Sequence, residues 1–290
     1  MSADSPRILH PESTYLNLGC GSRFHPDWEN VDMHPYAPCI RVHNLSRKMP
    51  YADESFHAIY HSHVLEHFPR NQAITFLREC HRLLTRGGVI RVAVPDLEQI
   101  ARLYLESLGK ASAGVLGWAD NYEWMVIEMY DQCIREKSCG ALIEYFNRNP
   151  IPNKEFIRER WGIFADSLIE MVQRSTRSNE NTSAPAKTAW GYVLGNPREV
   201  LRNKILRWLL GPADWEALHV GRFRRAGEIH MWMYDHYSLG KLLKEAGFSH
   251  PERVEPTESR IARWADFHLD AEPDGQVYKA DSIYMEAVKQ

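Results

Sequence analysis

The first hundred residues change period repeatedly. Apolar runs of strand length alternate with longer stretches whose apolar positions recur every three or four residues. Tyr15–Leu18 reads as a strand ending at Gly19. Residues 28–33 read as a second strand, 40–43 as a third, and 55–62 (SFHAIYHS) as a fourth. Residues 73–88 follow with Ile74, Leu77, Leu83 and Leu84 at helical spacing, and Gly87 and Gly88 are expected to end that helix. VIRVAVPD is a fifth strand stopped by Pro95, and LEQIARLYLESLG is a helix again. Such alternation predicts an α/β protein with a parallel sheet and helices on both faces.

Between about 110 and 230 the strand signal disappears. Helical periodicity runs through 121–136, 154–174 and 196–211, and the Ser/Thr/Asn-rich stretch 175–188 reads as a mobile loop. Strand and helix signals resume with SLGKLLKEAGF, a helix capped by Asp235 or Ser238 and closed by Gly247. PERVEP and SIYMEAVK are the closing strands, with turn chemistry in EPDG at 272–275. The expected organisation is an α/β domain built from 1–107 and 228–290, with 108–227 as a large helical insertion.

Composition narrows the class. Hydrophobic residues at 44% and charged residues at 25% describe a globular chain. A formal net charge of −3 argues against nucleic acid or anionic membrane as a bulk partner, while leaving room for a local basic patch. No apolar run approaches the ~20 residues of a membrane helix, and the N-terminus is polar. Cys20, Cys39, Cys80, Cys133 and Cys139 form no CxxC pair, so free thiols in a reducing cytoplasm are expected.

The chemistry concentrates in YLNLGCGSRFHPDWENVD (15–32). A glycine turn directly after a first strand lets a ligand approach the backbone, and an acid at the end of the second strand can accept both hydroxyls of a ribose. Asp32 has that position, so a nucleoside-containing cofactor is expected. It is not a dinucleotide: the third glycine is missing, and the acid arrives 13 positions after Gly19 where about 20 is usual. No phosphate-binding GxxxxGK[ST] loop is present either.

LNLGCGS, ENVD, FHAIYHSHVLEHF and LLTRGGVIRVAVPD, in that order, resemble the class I S-adenosylmethionine-dependent methyltransferases. They are most similar to a bacterial subgroup of the Methyltransferase-11 type often met alongside sugar-modifying enzymes. The resemblance covers about 14–107 and 228–290. It implies a Rossmann-like fold with a mostly parallel sheet and an antiparallel last strand. It also implies site roles. Asn17, Gly19, Cys20 and Gly21 would line the methionine end of S-adenosylmethionine. Asp32 would hold the ribose, with Met33 beside the adenine and Asn44 and Leu45 at its edge. His61, Ser62 and His63 would sit beside the reactive methyl. Two positions depart from the family pattern: Asn17 and Asn44 stand where acids are usual.

Methyl transfer to a hydroxyl needs a base as well as alignment. Histidine suits that task, and His61, His63 and His67 cluster after the fourth strand. His63 and His67, four apart, are expected to share one face of a short helix. A zinc reading of these histidines lacks further ligands, since Glu66 is expected to point elsewhere, so the chemistry is expected to be metal-independent. His67 reads as a packing residue. His230, in GEIHMWMYDHYSL, is a second candidate base, on a segment expected to be extended across the site. Asp96 lies at the ligand end of the fifth strand, where it can act on substrate, cap the next helix, or do both. The aromatic-rich insertion would form a lid over the acceptor. Arg222, Arg224 and Arg225 read as a solvated basic run that could also hold an anion.

The function expected is O-methylation of a small molecule or glycan. An amine, carboxylate or phosphorylated acceptor, or a non-catalytic cofactor-binding subunit, are the alternatives; a homodimer is compatible with either. A nucleic-acid methyltransferase is disfavoured by the charge and by the lack of an NPPY-like tetrapeptide.

Overall fold

The computed structural model describes residues 14–180 and 197–290. These form two compact units. The first comprises the described residues up to Arg102, with Arg160–Ile163 and Met231–Gln290; the second comprises Leu103–Glu159 and Phe164–His230.

The first unit is built on seven strands: β1 (Tyr15–Leu18), β2 (Glu29–Asp32), β3 (Arg41–Val42), β4 (Phe56–Ser62), β5 (Leu84–Pro95), β6 (Ser249–Arg253) and β7 (Ser282–Val288). Their order in the sheet is β3-β2-β1-β4-β5-β7-β6. The pairs from β3 through β5 are parallel, and β7 runs antiparallel to both of its neighbours. This is the Rossmann-like arrangement of class I methyltransferases, with β7 as the antiparallel strand.

Alternate strand residues feed two cores. Leu16, Leu18 and Ile59 pack with Phe76 and Leu77 of α1 (Arg70–Leu83) and with Leu239 and Leu243 of α8 (His236–Glu245) on one face. Ala58 and Tyr60 face the other way, among Trp28 and the Trp264 and Phe267 of α9 (Trp264–Phe267). Of the two expected caps, Asp235 is the one used, so α8 starts at His236, two residues before the quoted stretch: Asp235 Oδ1 accepts from Ser238 N–H at 2.8 Å, and Ser238 Oγ meets the Asp235 N–H at 3.1 Å.

Several expectations are corrected. Gly87 and Gly88 do not end α1. The helix stops at Leu83, and β5 begins at Leu84 without a connecting loop. Leu84 pairs with Phe56, and the register shift between Phe56 and Ala58 absorbs the glycine pair inside the strand. Gly88 is required there: a Cβ would stand 2.9 Å from the Thr85 carbonyl oxygen. His63 and His67 share no helix face, because only a single 3-10 turn (Leu65–His67) forms, and His63 precedes it. The segment 229–233 is bent instead of extended.

The remaining helices are α2 (Leu97–Ser112), α3 (Trp118–Ile134), α4 (Leu142–Phe146), α5 (Lys154–Trp161), α6 (Ile163–Glu180) and α7 (Pro197–Arg224). Among the described residues of the second unit, helices are the only regular elements. Trp124 anchors its core, with ring centroids 5.4 Å from both Tyr145 and Phe146. The single helix expected over 154–174 is two, broken at Gly162, whose φ of 66° and closeness to the Val277 carbonyl exclude a side chain. Of the expected loop 175–188, the part through Glu180 belongs to α6, and the rest lies outside the described residues. α4 and α9, short and without periodic signal, were not expected from the pattern.

Candidate functional site

The carboxyl ends of β1, β2, β4 and β5 gather the predicted site residues of the first unit. Asn17 is buried on β1. Its Nδ2 donates to Asn30 Oδ1 at 3.0 Å and to the Arg23 carbonyl at 3.2 Å. Its Oδ1 is buried and accepts from no donor among the described residues. A buried acceptor left without a donor is costly unless a ligand supplies one.

The turn that follows has the backbone shape only glycine adopts readily. Gly19 and Gly21 have φ of 66° and 54°. A Cβ on Gly19 would lie 2.3 Å from Val64 Cγ2, whereas around Gly21 the space is open within 4 Å. Gly19 N–H and Cys20 N–H both donate to the Val31 carbonyl, at 2.8 and 3.3 Å, which ties the turn to β2. Gly19→Ala is expected to add about 1–2 kcal/mol of left-handed strain and a collision with Val64. Chemical denaturation should show the loss, and Val64→Ala in the same chain should recover part of it.

Asp32 closes the turn. Its Oδ2 accepts from Gly21 N–H at 2.8 Å and its Oδ1 from His34 N–H at 2.9 Å. Each oxygen keeps a second lone pair for a further donor. Burial, and then the neighbouring Asp32, push the Cys20 thiol up to about 12, so it stays protonated. Met33 is exposed beyond the strand end. Leu45 is half-buried against the core. Asn44 is exposed, and its Oδ1 accepts from both the N–H and the hydroxyl of Ser46, at 2.9 and 2.7 Å. The carbonyl expected to meet an adenine amine is therefore engaged locally.

The end of β4 divides its three polar residues. His61 is fully buried, edge-on to Phe76 with centroids 5.2 Å apart, and burial pushes its imidazole down to about 3. It is a neutral ring in the core. Ser62, half-buried, points to the opposite face with Tyr60. His63 has a φ of 54°, a left-handed backbone uncommon outside glycine, and its N–H donates to the Ala93 carbonyl at 2.9 Å. Its Nε2 lies 2.8 Å from Ser282 Oγ, and its Nδ1 lies 3.5 Å from Glu66 Oε1.

Glu66 therefore faces His63, which corrects the expectation that it points elsewhere. It is fully buried, and burial pushes its carboxyl up to about 8, against the attraction of Lys279. The i,i+3 spacing of His63 and Glu66 was a usable signal. Ser282 had none, because it stands 219 residues away and is brought in by β7 pairing beside Pro95.

Asp96 is buried and caps α2. Its Oδ1 accepts from Glu98 N–H at 3.0 Å and Gln99 N–H at 3.4 Å, and its Oδ2 meets Arg253 at 3.3 Å. His230 belongs to the second unit, buried, with its N–H donating to the Gln132 carbonyl at 2.9 Å. In the same unit Arg224 donates to the Cys133 and Arg135 carbonyls past the end of α3, and Arg222 donates to Asn203. Those two arginines of the basic run thus serve structure.

A glycine turn of this shape, an unsatisfied buried amide oxygen and an acid at the end of β2 fit an amino-acid-bearing nucleoside. The strand order of the sheet is the one expected of a Rossmann-like class I methyltransferase fold. Residues 16–92 match the family model described as Methyltransferase domain, of the Methyltransferase-11 type. S-adenosylmethionine is the methyl donor of such a domain.

No curated protein matches the chain. Among solved structures it is similar to a chain of the complex between the Haloferax volcanii Trm112 methyltransferase activator and a methyltransferase. The identity is 11%, the TM-score 0.36, and 96% of this chain and 82% of that one are covered. A Thermotoga maritima SAM-dependent methyltransferase is 12% identical, with TM-score 0.36 and 97% and 84% covered. The Bacillus subtilis YcgJ protein is 16% identical, with TM-score 0.26 and 34% and 52% covered, so the chain spans about half of that protein. Among the described residues, no helix is long and apolar enough to cross a membrane.

Proposed function

We propose that the protein methylates a hydroxyl of a small-molecule or glycan acceptor, with His63 as the base and no metal. The observation that carries this reading is the placement of His63. Its left-handed backbone sets the imidazole at the carboxyl end of β4, with Nε2 on a hydroxyl oxygen, that of Ser282, at 2.8 Å. An imidazole nitrogen at hydrogen-bond distance from one hydroxyl can take the proton of an acceptor hydroxyl that replaces Ser282 there. Glu66 on the Nδ1 side holds the ring's orientation.

S-adenosylmethionine, when bound, supplies an activated methyl, so the protein has only to bind, align and remove a proton. Asn17 Oδ1 would receive the amino group, the Gly19–Gly21 turn would admit the methionine end, and Asp32 would accept the ribose hydroxyls. Met33 and Leu45 would flank the adenine. Asp32→Ala is expected to abolish the thermal stabilisation that S-adenosylmethionine and S-adenosylhomocysteine give the wild type. Retention of the full shift in that variant would remove Asp32 from the site. Acceptor class is tested by screening hydroxyl and amine compounds for S-adenosylhomocysteine release; turnover confined to amines would overturn the O-methylation reading.

A further inference from the structure

The connection between β1 and β2 departs from the fold around it. In doubly wound sheets a helix follows the first strand, and its N-terminal N–H groups meet the anionic part of a ligand. Here residues 19–28 pass from β1 to β2 as turns, with no helix among them. An anionic ligand group at this end of the sheet therefore has no helix N-terminus to meet and needs a positive side chain instead. Arg23 is the one residue of 19–28 with a permanent positive charge.

Arg23 is held in place with one nitrogen unused. Its N–H donates to the Cys20 carbonyl at 2.9 Å, and its own carbonyl accepts from Asn17 Nδ2 at 3.2 Å, so its backbone belongs to the glycine turn. Its guanidinium lies 4.3 Å from the Tyr278 ring centroid. Nε donates to the Leu269 carbonyl at 3.3 Å and Nη1 to Glu272 Oε1 at 2.7 Å. Nη2 is buried and has no acceptor among the described residues. Asn17 Oδ1 is likewise buried and has no donor among them. One turn thus leaves a cationic donor and a neutral acceptor unpaired, the complement of a carboxylate and an ammonium.

We propose that Arg23 Nη2 binds the carboxylate of the methionine end of S-adenosylmethionine, in place of the helix N-terminus that this turn lacks. The inference rests on the placement of that cofactor at the Gly19–Gly21 turn. Glu272 engages only the Nη1 side, so the Nη2 side of the fork remains for a second carboxylate. Leu269, Glu272 and Tyr278 fix the guanidinium before a ligand arrives, which lowers the ordering cost of binding. Segment 269–278 is thereby a support of the cofactor site, although it lies far from the turn in sequence.

The test is calorimetric titration with S-adenosylhomocysteine and with its decarboxylated analogue, which keeps the ribose and the ammonium. The wild type is expected to bind the analogue about ten- to a hundredfold more weakly, the scale of one hydrogen bond to a charged group. Arg23→Gln is expected to weaken S-adenosylhomocysteine by a similar factor and leave the analogue unchanged, so that the two ligands become alike. Glu272→Gln breaks the same ion pair but keeps Nη2, and should retain the wild-type preference. The proposal is overturned by equal binding of both ligands to the wild type, by an equal loss for both in Arg23→Gln, or by a Glu272→Gln variant that reproduces the Arg23→Gln result. The last two outcomes would make Arg23 a fastener of segment 269–278 only. The wild-type comparison needs no variant, so it decides the matter even if Arg23→Gln fails to fold. Asp32→Ala should weaken both ligands, since both carry the ribose. If it weakens neither, the cofactor placement fails and the Arg23 assignment with it; if it weakens both and the wild type shows no carboxylate preference, the Arg23 assignment alone fails.

Discussion

Replacing His63 by alanine is expected to lower kcat for a hydroxyl acceptor by about 10²–10⁴-fold, the usual contribution of a positioned base. The backbone argues for a dedicated role. A histidine with φ of 54° bears strain that the Ala93 carbonyl and the flanking strand ends must hold. His63→Asn is the sharper variant, because asparagine tolerates the left-handed region yet cannot act as the base. Both variants should keep the thermal shift with S-adenosylhomocysteine, which separates lost chemistry from lost folding. The acid limb of the kcat/KM profile, the mark of a group that works unprotonated, should disappear in His63→Asn. A loss below about tenfold with an intact acid limb would exclude His63 as the base. An amine acceptor would produce that smaller loss, since an amine nucleophile can shed its proton with little help.

Arg91→Met is expected to cost about 3–5 kcal/mol of stability, the scale seen when one partner of a buried ion network is removed. Arg91 is fully buried on β5. All its N–H donors find acceptors: Asp270 and Glu286 at 2.8 Å each, and the carbonyls of Glu258, Glu255 and Pro256 at 2.8, 3.1 and 3.1 Å. Its guanidinium also lies 4.4 Å from the Trp264 ring centroid. One side chain thus fastens segment 255–270 to the sheet. Its loss strands two buried carboxylates, so most of the cost is uncompensated charge. The triple variant Arg91→Met, Asp270→Asn, Glu286→Gln should recover much of the deficit.

The pH dependence of that deficit has a definite sign. Burial already holds the Asp270 carboxyl above its usual range, while Arg91 pulls it down. Without Arg91 it rises further. A raised folded pKa favours folding below the unfolded value and loses that benefit as pH climbs through the folded one. The deficit of Arg91→Met should therefore be largest near neutrality and shrink toward about pH 4. Urea midpoints at several pH values would check this, and a pH-independent deficit would refute the charge argument.

Legibility differed from element to element. β1 was readable to the residue, because an apolar run meeting Gly19 has one interpretation. The end of α1 was misread because Gly87 and Gly88 look like a helix stop, whereas pairing with β4 pulls Leu84 into the strand. Gly19, Gly21 and Asp32 were readable as one glycine turn closed by an acid because the whole constellation lies within one strand-turn-strand unit. Asn44 was expected at the adenine edge, but its bonds to Ser46 depend on local backbone shape that residue type alone does not reveal. His61, His63 and Glu66 are five residues apart at most, yet their environments diverge completely: a neutral core ring, a half-buried imidazole with left-handed backbone and a buried carboxyl.

Local pattern, then, determined the strand-helix alternation, the glycine turn, the acid after β2 and the class of cofactor, since each depends on neighbours within about one supersecondary unit. Tertiary structure alone decided which histidine is buried in the core, which one reaches Ser282, and what holds the sheet to its final segment. Ser282 reaches His63 across 219 residues, and Arg91 reaches Glu286 across 195. The physical reason is common to both. Hydrogen bonding and burial depend on distance in space, and chain closure through the antiparallel β7 sets those distances.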